Sequence, residues 1–229
     1  MLAGVTKRMR IGTAGVLLRL YSPYKVAENF RLLHTIFPRR IDLGLARGFV
    51  DPKMQALLAP TGPGAEFDDK VGELLGYMRG TGTVAANPAR TPPPETWMLG
   101  TKTASMKLAA QHGTALSLAL HLDFGDPPPV REIITEYRRT FQPSAELAAP
   151  KWSIALAGIC AGTVTEAQSL MPPGATGVKP NVVGTPAMWR EELDRLHAET
   201  GTTEFVIMDL CGGVEARTRS YAALATAAL

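Results

Sequence analysis

Cysteine and aromatic residues are scarce in this sequence. Its 229 residues include two cysteines, Cys160 and Cys211, which lie far apart, and each ends an apolar run. Two distant cysteines do not make a disulfide framework, and they indicate buried thiols in a reducing compartment. Aromatic residues make up 7% of the chain, and no basic stripe interleaved with aromatics is present. The sequence therefore gives no support to nucleic-acid binding.

Long apolar runs and a strong excess of one charge are also missing. No stretch approaches the roughly 20 apolar residues that a membrane-spanning helix needs, and the N-terminus lacks the apolar run and cleavage site of a signal peptide. These absences predict a cytoplasmic protein with no membrane partner. The net charge of +3 is mild. No nucleophile elbow, Walker loop or zinc-spaced Cys/His set appears, so no metal site is predicted.

Apolar residues are plentiful, at 45% of the chain, and Met9–Gly48 arranges them as strand, helix and strand. Arg10–Leu18 is short, apolar and glycine-punctuated, which predicts a buried parallel strand. Ser22 and Pro23 are a cap and first-turn pair for the helix that follows. Ile41–Ala46 begins a second buried strand, which ends at Arg47–Gly48 and completes a right-handed β-α-β unit. Apolar spacing predicts the core face of the helix, formed by Val26, Ala27, Phe30, Leu33 and Ile36.

The same alternation continues along the chain. Four further strands are predicted, over Thr96–Gly100, Thr114–Leu122, Lys151–Cys160 and Thr203–Leu210. The main helices between them are predicted over Glu66–Met78, Val130–Phe141 and Glu215–Leu229, with another that begins at Pro186 after a Thr185 cap. The pattern is typical of an α/β protein with a parallel sheet. The glycine-rich passage Ala59–Gly64 is either a functional loop or a plain connection.

Three stretches carry a family resemblance: GTAGVLL from Gly12, SPYKVAENFRLLHTIFP from Ser22, and RRIDLGLARG from Arg39. They resemble the luciferase-like flavin monooxygenases. The resemblance implies a (β/α)8 TIM-barrel-like fold, in which this unit is the third strand, third helix and fourth strand. With about six recognisable strands, we expect an incomplete or contracted barrel that forms a single domain over residues 1–229. The family's first two strand–helix units and most of its lid insertion have no counterpart.

A fourth stretch, WMLGTKTASMKLAAQHG from Trp97, resembles the segment by which this family holds the FMN phosphate. A glycine, hydroxyls and a lysine where a strand meets a helix N-terminus suit an anion. The alternatives stay open, because Thr101 or Thr103 can be ordinary helix caps and Arg47 a surface ion-pair partner. The resemblance assigns eight residues to the cofactor site: Val16, Ala46, Arg47, Gly100, Thr101, Lys102, Thr103 and Ser105.

The resemblance implies an FMN-dependent monooxygenase that acts on an organic small molecule with oxygen and with reduced flavin from a separate reductase. A deazaflavin is the alternative cofactor. His121 and Asp209, each near the end of a strand, are the candidate catalytic residues, and each can instead be a structural hydrogen-bonding residue.

Two further expectations concern the missing strands. The family usually keeps its catalytic histidine in the part with no counterpart here, so the other hypothesis is a non-catalytic or accessory flavin-binding protein. A barrel short of two strands also leaves open edges, which predicts a homodimer with Met9–Val16 and Phe205–Leu210 near the contact.

Overall fold

The structure, a computed structural model, describes residues 2–48, 51–58, 66–122, 128–172 and 178–228. The chain forms two compact units. Unit 1 comprises Met1–Gly100, Ala104–Leu116 and Tyr137–Lys151, and unit 2 comprises Thr101–Thr103, Ser117–Glu136 and Trp152–Leu229. The passage Ala59–Gly64 lies outside the described residues. The prediction of a single domain over residues 1–229 stays a prediction.

Strands and helices alternate along the described chain, which confirms the predicted α/β class. The strands are β1 (Ile11–Gly12), β2 (Val16–Leu17), β3 (Ile41–Ala46), β4 (Glu95–Gly100), β5 (Ala115–Ala119), β6 (Trp152–Cys160), β7 (Val182–Gly184) and β8 (Phe205–Asp209). The helices are α1 (Leu2–Val5), α2 (Pro23–Ile36), α3 (Pro52–Leu58), α4 (Phe67–Arg79), α5 (Thr103–His112), α6 (Val130–Thr140), α7 (Val164–Ser169), α8 (Pro186–Thr200) and α9 (Val214–Ala228). Within the described ranges, none of these helices is long and apolar enough to cross a bilayer.

The sheet of unit 1 is parallel and centred on β3. One edge of β3 pairs with β1 and then β2, and its other edge pairs with β4. The odd-numbered side chains Ile41, Leu43 and Leu45 are fully or almost fully buried. The even-numbered positions of β3 therefore lie on the other face of the sheet, because side chains alternate along a strand.

The first predicted strand, Arg10–Leu18, is divided. The structure has β1 and β2 with Thr13–Gly15 between them, and a 3₁₀ turn, Leu18–Leu20, follows. The Thr13 hydroxyl donates to the Gly44 oxygen at 3.1 Å and accepts from the Gly44 nitrogen at 3.2 Å. A side chain at residue 44 would meet the Thr13 carbonyl oxygen at 2.0 Å. The hydroxyl thus bridges the gap in the ladder, and only glycine fits opposite it.

Helix α2 begins as predicted, but its buried face is different. Ser22 accepts a hydrogen bond from the Lys25 amide, as a cap does. Leu33 and Ile36, predicted for the core, are 40% and 56% exposed. Arg31 is buried in their place, and its guanidinium donates to the carbonyl oxygens of Met78, Pro88 and Thr91. Three carbonyl acceptors, one from the end of α4 and two from the segment after it, compensate for burial of the cation.

The sheet of unit 2 is parallel and centred on β6. Residues 154–158 of β6 pair with β8, and residues 158–160 pair with β7. Asn181 joins the strand ends: its Oδ1 accepts from the Ala157 amide at 2.9 Å, and its Nδ2 donates to the Leu120 oxygen at 3.2 Å. Helix α8 begins at Pro186 after its Thr185 cap, as predicted.

The two faces of β6 have different neighbours. Ile154, Leu156 and Cys160 pack against Trp189 of α8 and Ala227 of α9. Phe205 and Ile207 of β8 belong to the same cluster. The even-numbered residues of β6 and odd-numbered residues of β8 therefore face the helices, and Val206 and Met208 lie on the opposite face.

Candidate functional site

The carboxyl edge of the unit 1 sheet gathers several of the predicted cofactor residues. Val16 pairs with Leu45 across β2 and β3, and Ala46 pairs with Leu99 across β3 and β4. Because the strands are parallel and in register, Arg47 and Gly100 follow these positions at the same edge. The structure thus brings Val16, Ala46, Arg47 and Gly100 together. Active sites of (β/α)8 barrels form at this edge of the strands.

Arg47 is oriented by the first turn of α4. Its Nη2 donates to Asp68 Oδ1 at 2.5 Å, and its Cζ lies 4.8 Å from the centre of the Phe67 ring. The Arg47 and Asp68 side chains are 38% and 55% exposed. The ion-pair alternative for Arg47 is therefore observed. The pair uses one N–H of a guanidinium that has five.

Ser105 lies directly over Gly100. A Cβ at residue 100 would meet Ser105 Oγ at 2.1 Å, so the hydroxyl occupies the space that any other residue would fill. Ser105 belongs to the first turn of α5, which begins at Thr103. At the end of β4 the half-buried Ser105 hydroxyl therefore lies next to the Gly100 backbone, which no side chain covers.

Thr101, Lys102 and Thr103 belong to unit 2. Lys102 is exposed, and the two threonines are half-buried. Their contact with a phosphate and the capping alternative both stay predictions. Thr101 lines a cleft of about 70 Å³, which is well below the roughly 300–1,000 Å³ of ordinary ligand pockets. The rest of the cleft lining is apolar and comes from Leu118, Ala119, Leu120, Leu122, Pro128, Val130 and Ile133.

His121 lies just after β5, and it is half-buried. Its Nδ1 is 3.2 Å from the Ala155 carbonyl oxygen. A carbonyl oxygen only accepts, so we assign the proton to Nδ1, which leaves the Nε2 lone pair as an acceptor in the neutral ring. Burial lowers the pKa of His121 below its usual 6.5, and the hydrogen bond to Ala155 opposes this effect.

The surroundings of His121 combine polar and apolar side chains. Strand β5 ends at Ala119, and Ala119, Leu120 and Leu122 line the cleft beside α6. Between the two strands, Ser153 Oγ of β6 donates to Ser117 Oγ of β5 at 2.9 Å. His121 lies beyond the last strand residue, so the alternation of side chains along β5 does not give its direction. Its catalytic role stays a prediction.

Asp209 lies on the helix-facing side of β8. Its Oδ1 accepts from the Cys211 amide at 2.9 Å and is 3.8 Å from Arg217 Nε on α9. Residue 209 pairs with residue 158 on one edge of β6, whereas His121 contacts residue 155. The structure does not bring the two candidate catalytic residues together. The contacts of Asp209 are those of a structural residue, and its catalytic role stays a prediction.

The thiols of Cys160 and Cys211 are free and buried, as the sequence predicts. Burial is the first cause that raises the pKa of each thiol to about 11, and the charge of Asp209 adds to it. Both thiols are therefore protonated at neutral pH. Within the described residues no group of His, Cys, Asp and Glu could hold a metal ion.

The partners of Arg47 could not be predicted from the sequence. Phe67 and Asp68 are 20 and 21 residues away along the chain, and no periodicity in the sequence predicts a contact over that separation. Asp68 and Asp69 are adjacent carboxylates in the first turn of α4. Nothing in the sequence indicates that Asp68, and not Asp69, contacts Arg47.

Comparisons with known proteins agree on one family. The family model of luciferase-like monooxygenases matches residues 1–204. The chain is 32% identical over 205 residues to the Bacillus subtilis protein YvbT, and the match covers 85% of this chain and 60% of YvbT. It is 33% identical over 178 residues to the luciferase-like monooxygenase of Escherichia coli, covering 74% of this chain and 51% of that protein. The chain thus spans three fifths or less of these curated relatives.

Solved structures share the fold. The crystal structure of apo-MsnO8 matches with a TM-score of 0.83 and 28% identity, and the match covers 99% of this chain and 80% of that one. The monooxygenase RslO1 from Streptomyces bottropensis matches with a TM-score of 0.75 and 21% identity over 98% of this chain and 78% of that one. These matches confirm the predicted fold class, an incomplete TIM-barrel-like α/β fold. On its sequence, its matched family model and its fold, the chain belongs to the luciferase-like monooxygenase family.

Proposed function

We propose that the chain is a flavin-dependent monooxygenase that binds FMN by its phosphate at the carboxyl edge of the unit 1 sheet. One observation carries the proposal: Arg47 and Gly100 follow paired positions of neighbouring parallel strands, and a hydroxyl lies over Gly100. Phosphates are bound in proteins by such sets of guanidinium, backbone amide and hydroxyl donors.

The donors in unit 1 fit a phosphate. Arg47 is partly exposed, and its pair with Asp68 leaves further N–H groups for a bidentate contact. At Gly100 the absence of a side chain bares the backbone, and Ser105 adds a hydroxyl beside it. Arg47, Gly100 and Ser105 would hold the phosphate, with Val16 and Ala46 as neighbouring wall. The sequence adds Thr101, Lys102 and Thr103 as further donors.

A flavin-type cofactor is supported by the neighbours in fold. One is the oxygenating constituent of 3,6-diketocamphane monooxygenase from Pseudomonas putida, in complex with FMN, with a TM-score of 0.66 and 16% identity over 97% of this chain and 78% of that one. Another is a secondary alcohol dehydrogenase that depends on the deazaflavin F420, with a TM-score of 0.64 and 11% identity over 99% of this chain and 82% of that one. We favour FMN, because the resemblance of the Trp97 segment is to an FMN phosphate site.

The flavin, when bound, supplies the electron transfer to oxygen. The chain's part is to bind the cofactor, to exclude water and to handle protons. His121 is suited to the last task, because its Nδ1 proton is held by Ala155 and its Nε2 is left as the acceptor. Its lowered pKa keeps the ring neutral near pH 7 and able to take a proton.

The proposed partners follow from this chemistry. The substrate is an organic small molecule, and a separate reductase supplies reduced FMN. The substrate class is supported by a curated relative, the N-acetyl-S-alkylcysteine monooxygenase of Bacillus subtilis, which is 35% identical over 150 residues, a match of 61% of this chain and 43% of that enzyme.

We also propose that the chain forms a homodimer in the cytoplasm.

The test is a fluorescence titration with FMN and with riboflavin, which lacks the phosphate. Arg47→Ala removes charge-assisted hydrogen bonds of about 1.5–3 kcal/mol, so FMN should bind roughly ten- to hundred-fold more weakly. Riboflavin affinity should not change. Arg90→Ala, an exposed arginine of the same unit, is the control for the loss of one positive charge.

Equal FMN affinity in Arg47→Ala and wild type would contradict the phosphate site. The accessory hypothesis makes a separate prediction: reduced FMN would reoxidise in air at one rate in wild type and His121→Ala, whatever substrate is added. A reoxidation rate that responds to substrate and to His121→Ala supports the enzyme.

A further inference from the structure

The contacts of Arg47 divide between two residues of different character. Phe67 is 1% exposed, and it presents its ring to the guanidinium at 4.8 Å. Asp68 is a neighbour in the chain, but its side chain is 55% exposed. One partner is thus a fixed part of the core of unit 1, and the other is a solvated carboxylate on the surface.

The Asp68 carboxylate resembles a phosphate group in one respect: both are anions whose oxygens accept hydrogen bonds from a guanidinium. It is an oxygen anion on a guanidinium donor, held at 2.5 Å through one N–H. Exposed ion pairs of this kind contribute little free energy, because water screens them and side-chain entropy opposes them. A phosphate monoester carries more charge and more acceptor oxygens than a carboxylate. It can therefore compete successfully for the same arginine.

We propose that Asp68 is an exchangeable counter-ion of Arg47, which the cofactor phosphate displaces, and that Phe67 is the positioning residue that keeps the guanidinium in place. The inference rests on the proposed function and deepens it, because it names what sets the affinity of the phosphate site. Without phosphate, Asp68 neutralises Arg47. When phosphate arrives, Phe67 still holds the plane of the guanidinium, so the arginine need not be reoriented.

This division of roles fixes the sign of each effect. Loss of the Asp68 charge removes a competitor for Arg47 and a repulsion toward the dianion, while Phe67 continues to orient the arginine. Phosphate affinity should therefore rise. Loss of the Phe67 ring removes the orientation and the cation–π contact, so phosphate affinity should fall.

The experiment compares Asp68→Asn with Asp69→Asn by titration with FMN and with riboflavin. Both residues are exposed carboxylates in the first turn of α4, so each variant removes one negative charge from the same helix end. We expect Asp68→Asn to bind FMN about two- to five-fold more tightly than Asp69→Asn. Riboflavin should bind the two variants equally.

A third variant, Phe67→Leu, should weaken FMN binding several-fold and leave riboflavin binding unchanged. Circular dichroism shows whether this core variant folds. The comparison of Asp68→Asn with Asp69→Asn tests the counter-ion role even if Phe67→Leu does not fold. Equal FMN affinity in the two asparagine variants, or weaker binding by Asp68→Asn, overturns the exchange alone. Equal FMN affinity in wild type and Arg47→Ala overturns the phosphate site, and this inference with it.

Discussion

Three partly buried histidines are expected to make the stability of the folded chain depend on pH. Burial is the largest cause that lowers the pKa of His34, His112 and His121 below the usual 6.5. Arg10 and Arg31 also lower the pKa of His34, while Asp42 and the polar backbone of Ile41 oppose them. Between these lowered pKa values and pH 6.5, the folded state therefore binds fewer protons than the unfolded state.

The sign of the effect follows from that difference. The stability due to the neutral histidines is present above pH 6.5 and is lost as the pH falls through their lowered pKa values. We expect the urea midpoint to drop between pH 7 and pH 5, and His34→Gln should reduce the drop. A midpoint that is constant over this range, or one with the same slope in His34→Gln, would contradict this account.

Single buried polar residues mark the limit of sequence reasoning at this scale. The apolar spacing of α2 correctly predicted Val26 and Ala27 in the core but wrongly predicted Leu33 and Ile36. Arg31 is buried because three carbonyl groups 47 to 60 residues away accept its N–H groups. Helical periodicity describes one element, and it contains no information about acceptors that another segment supplies.

At the scale of elements, α4 anchors the carboxyl ends of two strands of unit 1. Its first turn contacts Arg47 after β3, and Lys70 reaches the turn after β2. Lys70 is 8% exposed, and its ammonium donates to the carbonyl oxygens of Leu18, Arg19 and Tyr21 at 3.4, 3.0 and 3.4 Å. The ammonium thus satisfies the C-terminal carbonyls of the 3₁₀ turn.

Replacing Lys70 by Met should therefore destabilise unit 1. The methionine fills a similar volume but removes the donor of the part-buried Arg19 and Tyr21 carbonyls, while the Leu18 carbonyl keeps the Tyr21 amide. The cost is about 1–3 kcal/mol in the free energy of unfolding. Lys53→Met, on the exposed surface of α3, is the control for loss of one charge. Chemical unfolding measures both variants, and equal stability of Lys70→Met and Lys53→Met would show that the three contacts carry no weight.

The elements themselves could largely be predicted, and the exceptions have physical causes. The strand predicted to begin at Ile41 and to end at Arg47–Gly48 coincides with β3 over Ile41–Ala46, because a mostly apolar run between turn residues is typical of a buried strand. The first strand is divided since Thr13 takes over a ladder position through its side chain. Composition and spacing do not distinguish a hydroxyl that pairs with a strand from one that faces water.

At the scale of the whole molecule, the family could be recognised from the sequence by four motifs: one covers β2, one forms α2, one contains β3, and one runs from β4 into α5. Four of the eight candidate cofactor residues, Val16, Ala46, Arg47 and Gly100, lie at one edge of a parallel sheet, and their contact with a cofactor stays a prediction. Asp209 has structural contacts instead, since one residue of register decides which face a strand side chain occupies. The partners of Arg47 lie on α4, and only the structure shows that α4 contacts Arg47.

The last prediction concerns assembly. Strand β8 pairs only with β6 among the described residues, and its Val206 and Met208 side chains are 44% and 36% exposed. An edge strand with exposed apolar side chains favours association, because unpaired backbone groups and apolar surface are both satisfied by a second chain. Light scattering at micromolar concentration should give twice the 24.5 kDa of one chain.

The contact is tested at the strand itself. Val206→Lys places a charge on the exposed face of β8 and should convert the dimer to a monomer with an unchanged circular dichroism spectrum. Val164→Lys makes the same exchange at a 38% exposed valine on α7, and it should leave the dimer intact. A wild-type chain that is monomeric and folded at micromolar concentration would refute the dimer. A dimer that persists in Val206→Lys would place the contact elsewhere, because a lysine in the middle of a buried apolar strand contact carries a desolvation cost that weak association does not withstand.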